Sequence, residues 1–84
     1  MSYKEKLITR FLSSPKDFTF DELKTMLGYL GYSLKNAGKT SGSRVTFEHQ
    51  TYEPIKFHKP HPSGILPSYL IKQIKETLQQ RNQI

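Results

Sequence analysis

Residues 31–58 read GYSLKNAGKTSGSRVTFEHQTYEPIKFH, and the fold is decided by where the period in this stretch becomes two. Tyr32, Leu34 and Asn36 alternate with Ser33 and Lys35. Val45 and Phe47 then alternate with Arg44, Thr46 and Glu48, and Ile55 and Phe57 with Lys56 and His58. Alternation of apolar and polar residues marks a strand with one buried face. Ala37–Ser43 is a small, basic Gly/Ser loop and His49–Pro54 a polar turn, so three short strands follow one another through short connections. Connections of this length join antiparallel neighbours.

Outward from this core the period lengthens to that of a helix. On the N-terminal side, Tyr3–Leu12 places Leu7, Ile8, Phe11 and Leu12 on one stripe, and Ser13-Ser14-Pro15 ends it. Thr19-Phe20-Asp21-Glu22 has the form of a capping box, in which hydroxyl and carboxylate satisfy each other's backbone amides. Leu23, Met26, Leu27 and Leu30 continue the stripe up to Gly31, a natural helix stop. On the C-terminal side, Pro60, Pro62 and Gly64 interrupt regular structure. A last helix starts near Leu66 or Pro67 and buries Leu66, Tyr69, Leu70, Ile74 and Leu78, and the tail after Gln79 is expected to fray. The expected architecture is α+β, in the order α-α-β-β-β-α, with a three-stranded antiparallel sheet covered by helices on one face.

Composition narrows the class. At 84 residues the chain is expected to form a single domain over residues 1–84, with one modest core. The formal net charge is +6, and its excess is uneven: residues before Lys35 carry 5 basic and 4 acidic side chains, whereas Lys35–Lys59 carry 5 and 2. A basic field over the loop and strands favours a polyanion such as RNA, or an acidic protein. The absence of cysteine removes disulfides, thiolate catalysis and Cys-based zinc sites. No apolar run approaches a membrane span, and MSYKEK lacks the apolar stretch of a signal peptide. The expectation is a soluble, cytoplasmic protein without a membrane partner.

Strand parity then sorts the polar residues. With Val45, Phe47, Ile55 and Phe57 turned toward the helices, Arg44, Thr46, Glu48, Lys56 and His58 face away. A turn centred near Thr51 sets Phe47 opposite Ile55, Val45 opposite Phe57, Arg44 beside His58 and Thr46 beside Lys56. Lys39, Thr40, Ser41 and Ser43 rim this patch on one side, and Lys59 and His61 follow His58 on the other. Arginine offers a planar fork of donors to phosphate oxygens. Glycines let loop amides approach an anion, and histidine exchanges a proton near neutral pH. The patch therefore suits a phosphodiester, with His58, His61 and Arg44 as candidate catalytic residues. An ordinary hairpin with a polar outer face is the competing reading. Gly38-Lys39-Thr40 is not a P-loop, because the preceding glycine and following helix are missing. His49, His58 and His61 lack the further ligands of a metal site, so neither metal nor cofactor is expected. Tyr52 can stack on a base from its turn, the remaining aromatics fall mostly on buried stripes, and Lys72 and Lys75 read as solvated surface.

The order of these motifs resembles the HicA toxin family, the small ribonuclease partners of bacterial toxin–antitoxin pairs. The resemblance rests on GYSLK at Gly31–Lys35, Gly42-Ser43, the alternating strand from Val45, Pro60-His61 and LPSYLI at Leu66–Ile71. The helix at 19–30 stands in the expected place, and the helix at 3–12 is an addition. The resemblance implies a fold similar to a double-stranded-RNA-binding domain. It also implies metal-independent cleavage of messenger RNA, inhibition of translation and neutralisation by an acidic, HicB-like antitoxin. The family pattern places its catalytic histidine directly after Gly-Ser, where this chain has Arg44. Arginine stays protonated and is a poor general base. Two expectations follow: catalysis has moved across the hairpin to His58, or the chain binds RNA or its antitoxin without cutting. A non-catalytic RNA-binding module and a purely protein-binding domain are the alternatives.

Overall fold

The computed structural model describes residues 2–36, 44–58 and 64–84. Their elements are α1 (Tyr3–Leu12), α2 (Phe20–Tyr29), β1 (Ser33–Asn36), β2 (Arg44–Glu48), β3 (Ile55–His58) and α3 (Ser68–Gln80). The strands form one antiparallel sheet in the order β1-β2-β3, and helices pack on it. This is the α+β arrangement anticipated from the periodicity.

Each helix is bounded by local chemistry. Ser2 and Glu5 form a capping box at the start of α1. Thr19 and Glu22 form the second, with the Glu22 amide donating to Thr19 Oγ1 at 3.1 Å and the Thr19 amide to Glu22 Oε1 at 2.9 Å. At the end of α2, Gly31 takes φ +98°, while its amide reaches the Gly28 carbonyl and that of Tyr32 reaches Leu27. This pair of bonds is a Schellman motif, which glycine enters without steric cost. Asn82, at φ 58°, repeats the motif after α3 through the bonds Asn82 to Gln79 and Gln83 to Leu78.

The core lies between the inner sheet face and the helices. Phe47, 1 % exposed, sits in the middle strand and packs on Phe57 and Phe20, with ring centroids 5.9 and 6.1 Å away. Phe20 also meets Phe57 edge-on at 6.2 Å. Leu7 and Phe11 bring α1 into the same cluster as Leu70, Ile71, Ile74 and Leu78 of α3. A backbone clip closes the front of the molecule: the Phe20 amide donates to Gly64 O at 2.7 Å and the Leu66 amide to Phe18 O at 2.9 Å. Arg10 ties α1 to α2 by pairing with Asp17 and Glu22 while its guanidinium lies over the Phe18 ring.

Several side chains depart from the sequence expectation. Tyr69 is 64 % exposed and Ile71 takes the buried position, because Tyr69 shares its helical face with Lys72, Gln73 and Glu76. Leu12 is exposed at the end of α1, and α3 begins at Ser68 with Pro67 as its N-cap. The phenylalanines are buried or half-buried, but Tyr3, Tyr29 and Tyr69 are exposed. Lys75 does not extend freely into solvent: its ammonium donates to Ser14 Oγ at 2.7 Å and Leu12 O at 3.3 Å, fastening α3 to the end of α1. The tail after Gln79 is docked. Arg81 donates to Tyr32 Oη and Glu53 O, and Gln83 Nε2 to Leu30 O.

Truncating the central aromatic tests this packing: Phe47→Ala is expected to cost about 3–5 kcal/mol in denaturant unfolding. An unchanged midpoint would mean that Phe47 is not a core side chain. The Arg10 contact has its own signature. Partial burial pushes the Glu22 carboxyl up, but hydrogen bonds from Arg10 and the Thr19 amide, with the guanidinium charge, outweigh it and leave it below the ordinary range. A carboxyl depressed in the folded state stabilises above its unfolded pKa, and that stabilisation is lost as pH falls through the folded value. Acidification below about pH 4.5 is therefore expected to lower the melting temperature, and Arg10→Ala to flatten that acid limb. A variant curve parallel to wild type throughout would contradict the contact.

Candidate nucleic-acid interface

The outer sheet face is organised in rows by strand register. Arg44 pairs with His58, Thr46 lies between Lys35 and Lys56, and Glu48 pairs with Ser33. Both hairpin pairings are those expected from parity and turn length. Directly opposed residues hold their Cβ atoms about 4.5–5.5 Å apart, and successive rows lie about 6.8 Å apart along the strands. Arg44, Lys35, Lys56 and His58 are exposed, and Thr46 is half-buried between its cationic neighbours. A guanidinium, an imidazole and two ammonium groups thus share one side of the sheet. Of the other candidates, Lys39, Thr40, Ser41, Ser43, Lys59 and His61 lie outside the described residues.

The chemistry of the patch follows from its donors. The Arg44 fork suits two oxygens of one phosphate, and Lys35 and Lys56 provide point charges one row away. His58 stands on the edge strand, where a ligand can approach from beyond the sheet.

Beside the patch lies a groove of about 640 Å³ that the sequence reading did not single out. It is lined by Gly31, Ser33, Lys35, Glu48, His49 and Gln50. Its wall is held by a cluster that joins the β2–β3 turn to the C-terminal tail. The His49 ring lies between Tyr32 and Tyr52, with centroids at 4.7 and 4.9 Å. His49 Nε2 bonds the Leu30 carbonyl at 3.1 Å, and Nδ1 accepts from the amides of Thr51 and Tyr52. Those partners assign the neutral tautomer with its proton on Nε2. Tyr32 Oη donates to Gln83 and accepts from Arg81, whose guanidinium lies over the Tyr52 ring. Tyr52, a turn aromatic able in principle to stack on a base, is half-buried and committed to the turn, its hydroxyl donating to Arg81 O. Gly31 is required here twice: its φ is left-handed, and a Cβ there would lie 2.7 Å from His49 Nε2. The one legible sign of this cluster is Gly31 followed by an aromatic residue, which marks a helix stop and the entry to the first strand but not the close approach of His49. Among the described residues, no three of His, Cys, Asp and Glu come together in a way that can hold a metal. No helix among them is long and apolar enough to cross a membrane.

The family model described as HicA toxin of bacterial toxin–antitoxin systems matches residues 20–80, spanning α2, the whole sheet and α3. The chain belongs to this family, and membership implies an antitoxin as partner. No curated protein and no solved structure matches the chain. Helix α1 lies outside the matched residues yet contributes Leu7 and Phe11 to the core.

Proposed function

We propose that this toxin is a metal-independent endoribonuclease that cuts messenger RNA in the cytoplasm, blocks translation and is restrained by an acidic, HicB-like antitoxin. The observation that carries the reading is the direct pairing of Arg44 with His58 on the outer sheet face. One phosphodiester can touch both side chains. His58 removes the proton of the ribose 2′-hydroxyl. The 2′-oxygen bonds to the adjacent phosphorus, and the bond from phosphorus to the 5′-oxygen breaks. Arg44, with Lys39, offsets the charge gathered on the phosphoryl oxygens. His61 or a water returns a proton to the 5′-oxygen, leaving a 2′,3′-cyclic phosphate and a 5′-hydroxyl. Lys56, Lys59, Thr40, Ser41 and Ser43 hold the flanking backbone. The reaction as written needs no metal.

A second reading is favoured by one residue. Arg44 occupies the position where the family pattern has its catalytic histidine, so an RNA-binding module without cleavage keeps the same interface and loses the base.

Digestion of RNA by the purified protein in EDTA separates these readings. Cleavage is expected with wild type and at least about a hundredfold less with His58→Ala, whose melting temperature should be unchanged. Retarded but uncut RNA would establish the binding module, and no affinity even at low salt would leave a protein-binding role. In the same assay Arg44→Ala is expected to weaken RNA binding severalfold and to lower its salt dependence. Lys72→Ala, on α3 away from the sheet's outer face, should do neither, and equal losses from the two would contradict the interface.

A further inference from the structure

The outer face changes sign along β2. Arg44 opens it, Thr46 lies between two lysines, and Glu48, exposed on the same face, then lines the 640 Å³ groove. The ion pairs among the described residues are those of Arg10 with Asp17 and Glu22, so Glu48 is in none of them. A carboxylate repels the phosphates that the neighbouring rows attract and accepts hydrogen bonds only. Glu48 stands one row, about 6.8 Å, beyond the Lys35–Thr46–Lys56 row, comparable to the reach from a phosphate to the base it carries. The groove is formed before any ligand arrives, because His49 is fixed through both ring nitrogens and between two tyrosine rings.

We propose that this groove is a base-recognition subsite for guanine in single-stranded RNA, read by the Glu48 carboxylate. The inference rests on the RNA-binding reading given above. Of the four RNA bases, only guanine presents two adjacent donors, N1–H and N2–H, on its Watson–Crick edge. A carboxylate can accept both at once. Adenine, cytosine and uracil set an acceptor beside each donor, which turns a lone pair toward one carboxylate oxygen. Gln50 lines the same groove, and its side-chain amide supplies a donor for guanine O6. Phosphates on the cationic rows position the strand while the base edge specifies it, the usual division in RNA recognition.

The test is fluorescence anisotropy with the full chain and labelled 2′-O-methyl oligouridines, which cannot be cut, each carrying one central guanine, inosine or adenine. Guanine is expected to bind at least about fivefold tighter than adenine, the lower end for a bidentate base contact. Inosine, lacking the 2-amino group, should fall between them. Glu48→Gln should abolish this ranking, leave the melting temperature unchanged and leave affinity for plain oligouridine equal or higher, since a negative charge is removed. Equal affinity for the three strands, or a ranking that survives Glu48→Gln, would overturn the subsite while leaving RNA binding intact. Absence of binding to every strand would overturn both. A flat ranking together with a weaker antitoxin complex in Glu48→Gln would assign the carboxylate to a protein interface instead and overturn the proposal.

Discussion

The parity of the β2–β3 hairpin is the constraint on which the rest of the structure depends. Phe47 and Phe57 stack inside the sheet and both meet Phe20 of α2, so the two strands are held against the core on the same side. A side-chain period of two leaves no freedom for the residues between them. Arg44, Thr46, Lys56 and His58 must then face outward, and the Arg44–His58 pairing is a consequence of where the phenylalanines are buried. Sliding one strand by a single residue would bury Lys56 and His58 and expose Phe57. The cost of unpaired buried charge would far exceed any gain. The outer face is thus as well specified as the core, although Arg44, Lys56 and His58 on it are exposed.

Around this sheet, the parts outside the matched family segment serve the parts within it. Helix α1 adds Leu7 and Phe11 to the core and is fastened by Arg10 and Lys75. The residues after α3 clamp Tyr32 and the Leu30 carbonyl, and through them the His49 turn that walls the groove. In 84 residues, where one core supplies little stability, these end segments add contacts where the sheet would otherwise be thinly supported. They also join the end of α2, the β2–β3 turn and the tail into one unit at the Glu48 end of the outer face.

Much of this was legible in the chain. Thr19 and Glu22 announced their capping box, Gly31 its helix end, and the alternating residues their pairing, because each depends on local chemistry or a short turn. The Tyr69 assignment failed although the helical period was available: Tyr69 lies one face over from Leu70, Ile74 and Leu78, whereas Ile71 lines up with Leu78 seven residues on. The docked tail was hidden for a different reason. QQRNQI looks polar and loose, and its order comes from distant acceptors at Leu30, Tyr32 and Glu53 that no local pattern reveals. Tyr52 and His49 belong to the same network, so both side chains are structural, joined to the tail and to the Leu30 carbonyl. Of the candidate site, the pairing of Arg44 with His58 was readable from turn length and parity. The groove beside Glu48 was not, since it depends on the absence of a side chain at Gly31 and on a histidine ring held from three directions.

The central claim is that the Arg44 guanidinium and the His58 imidazole contact the same nucleotide linkage. NMR titration of the isotopically labelled protein with an uncleavable 2′-O-methyl RNA dinucleotide tests it most directly. The account predicts that the Arg44 Nε–H and His58 ring resonances move together and saturate on one binding curve, while the His49 ring, already committed to the backbone, moves little. Perturbations confined to the helical face, or Arg44 and His58 responding with unrelated affinities, would contradict it.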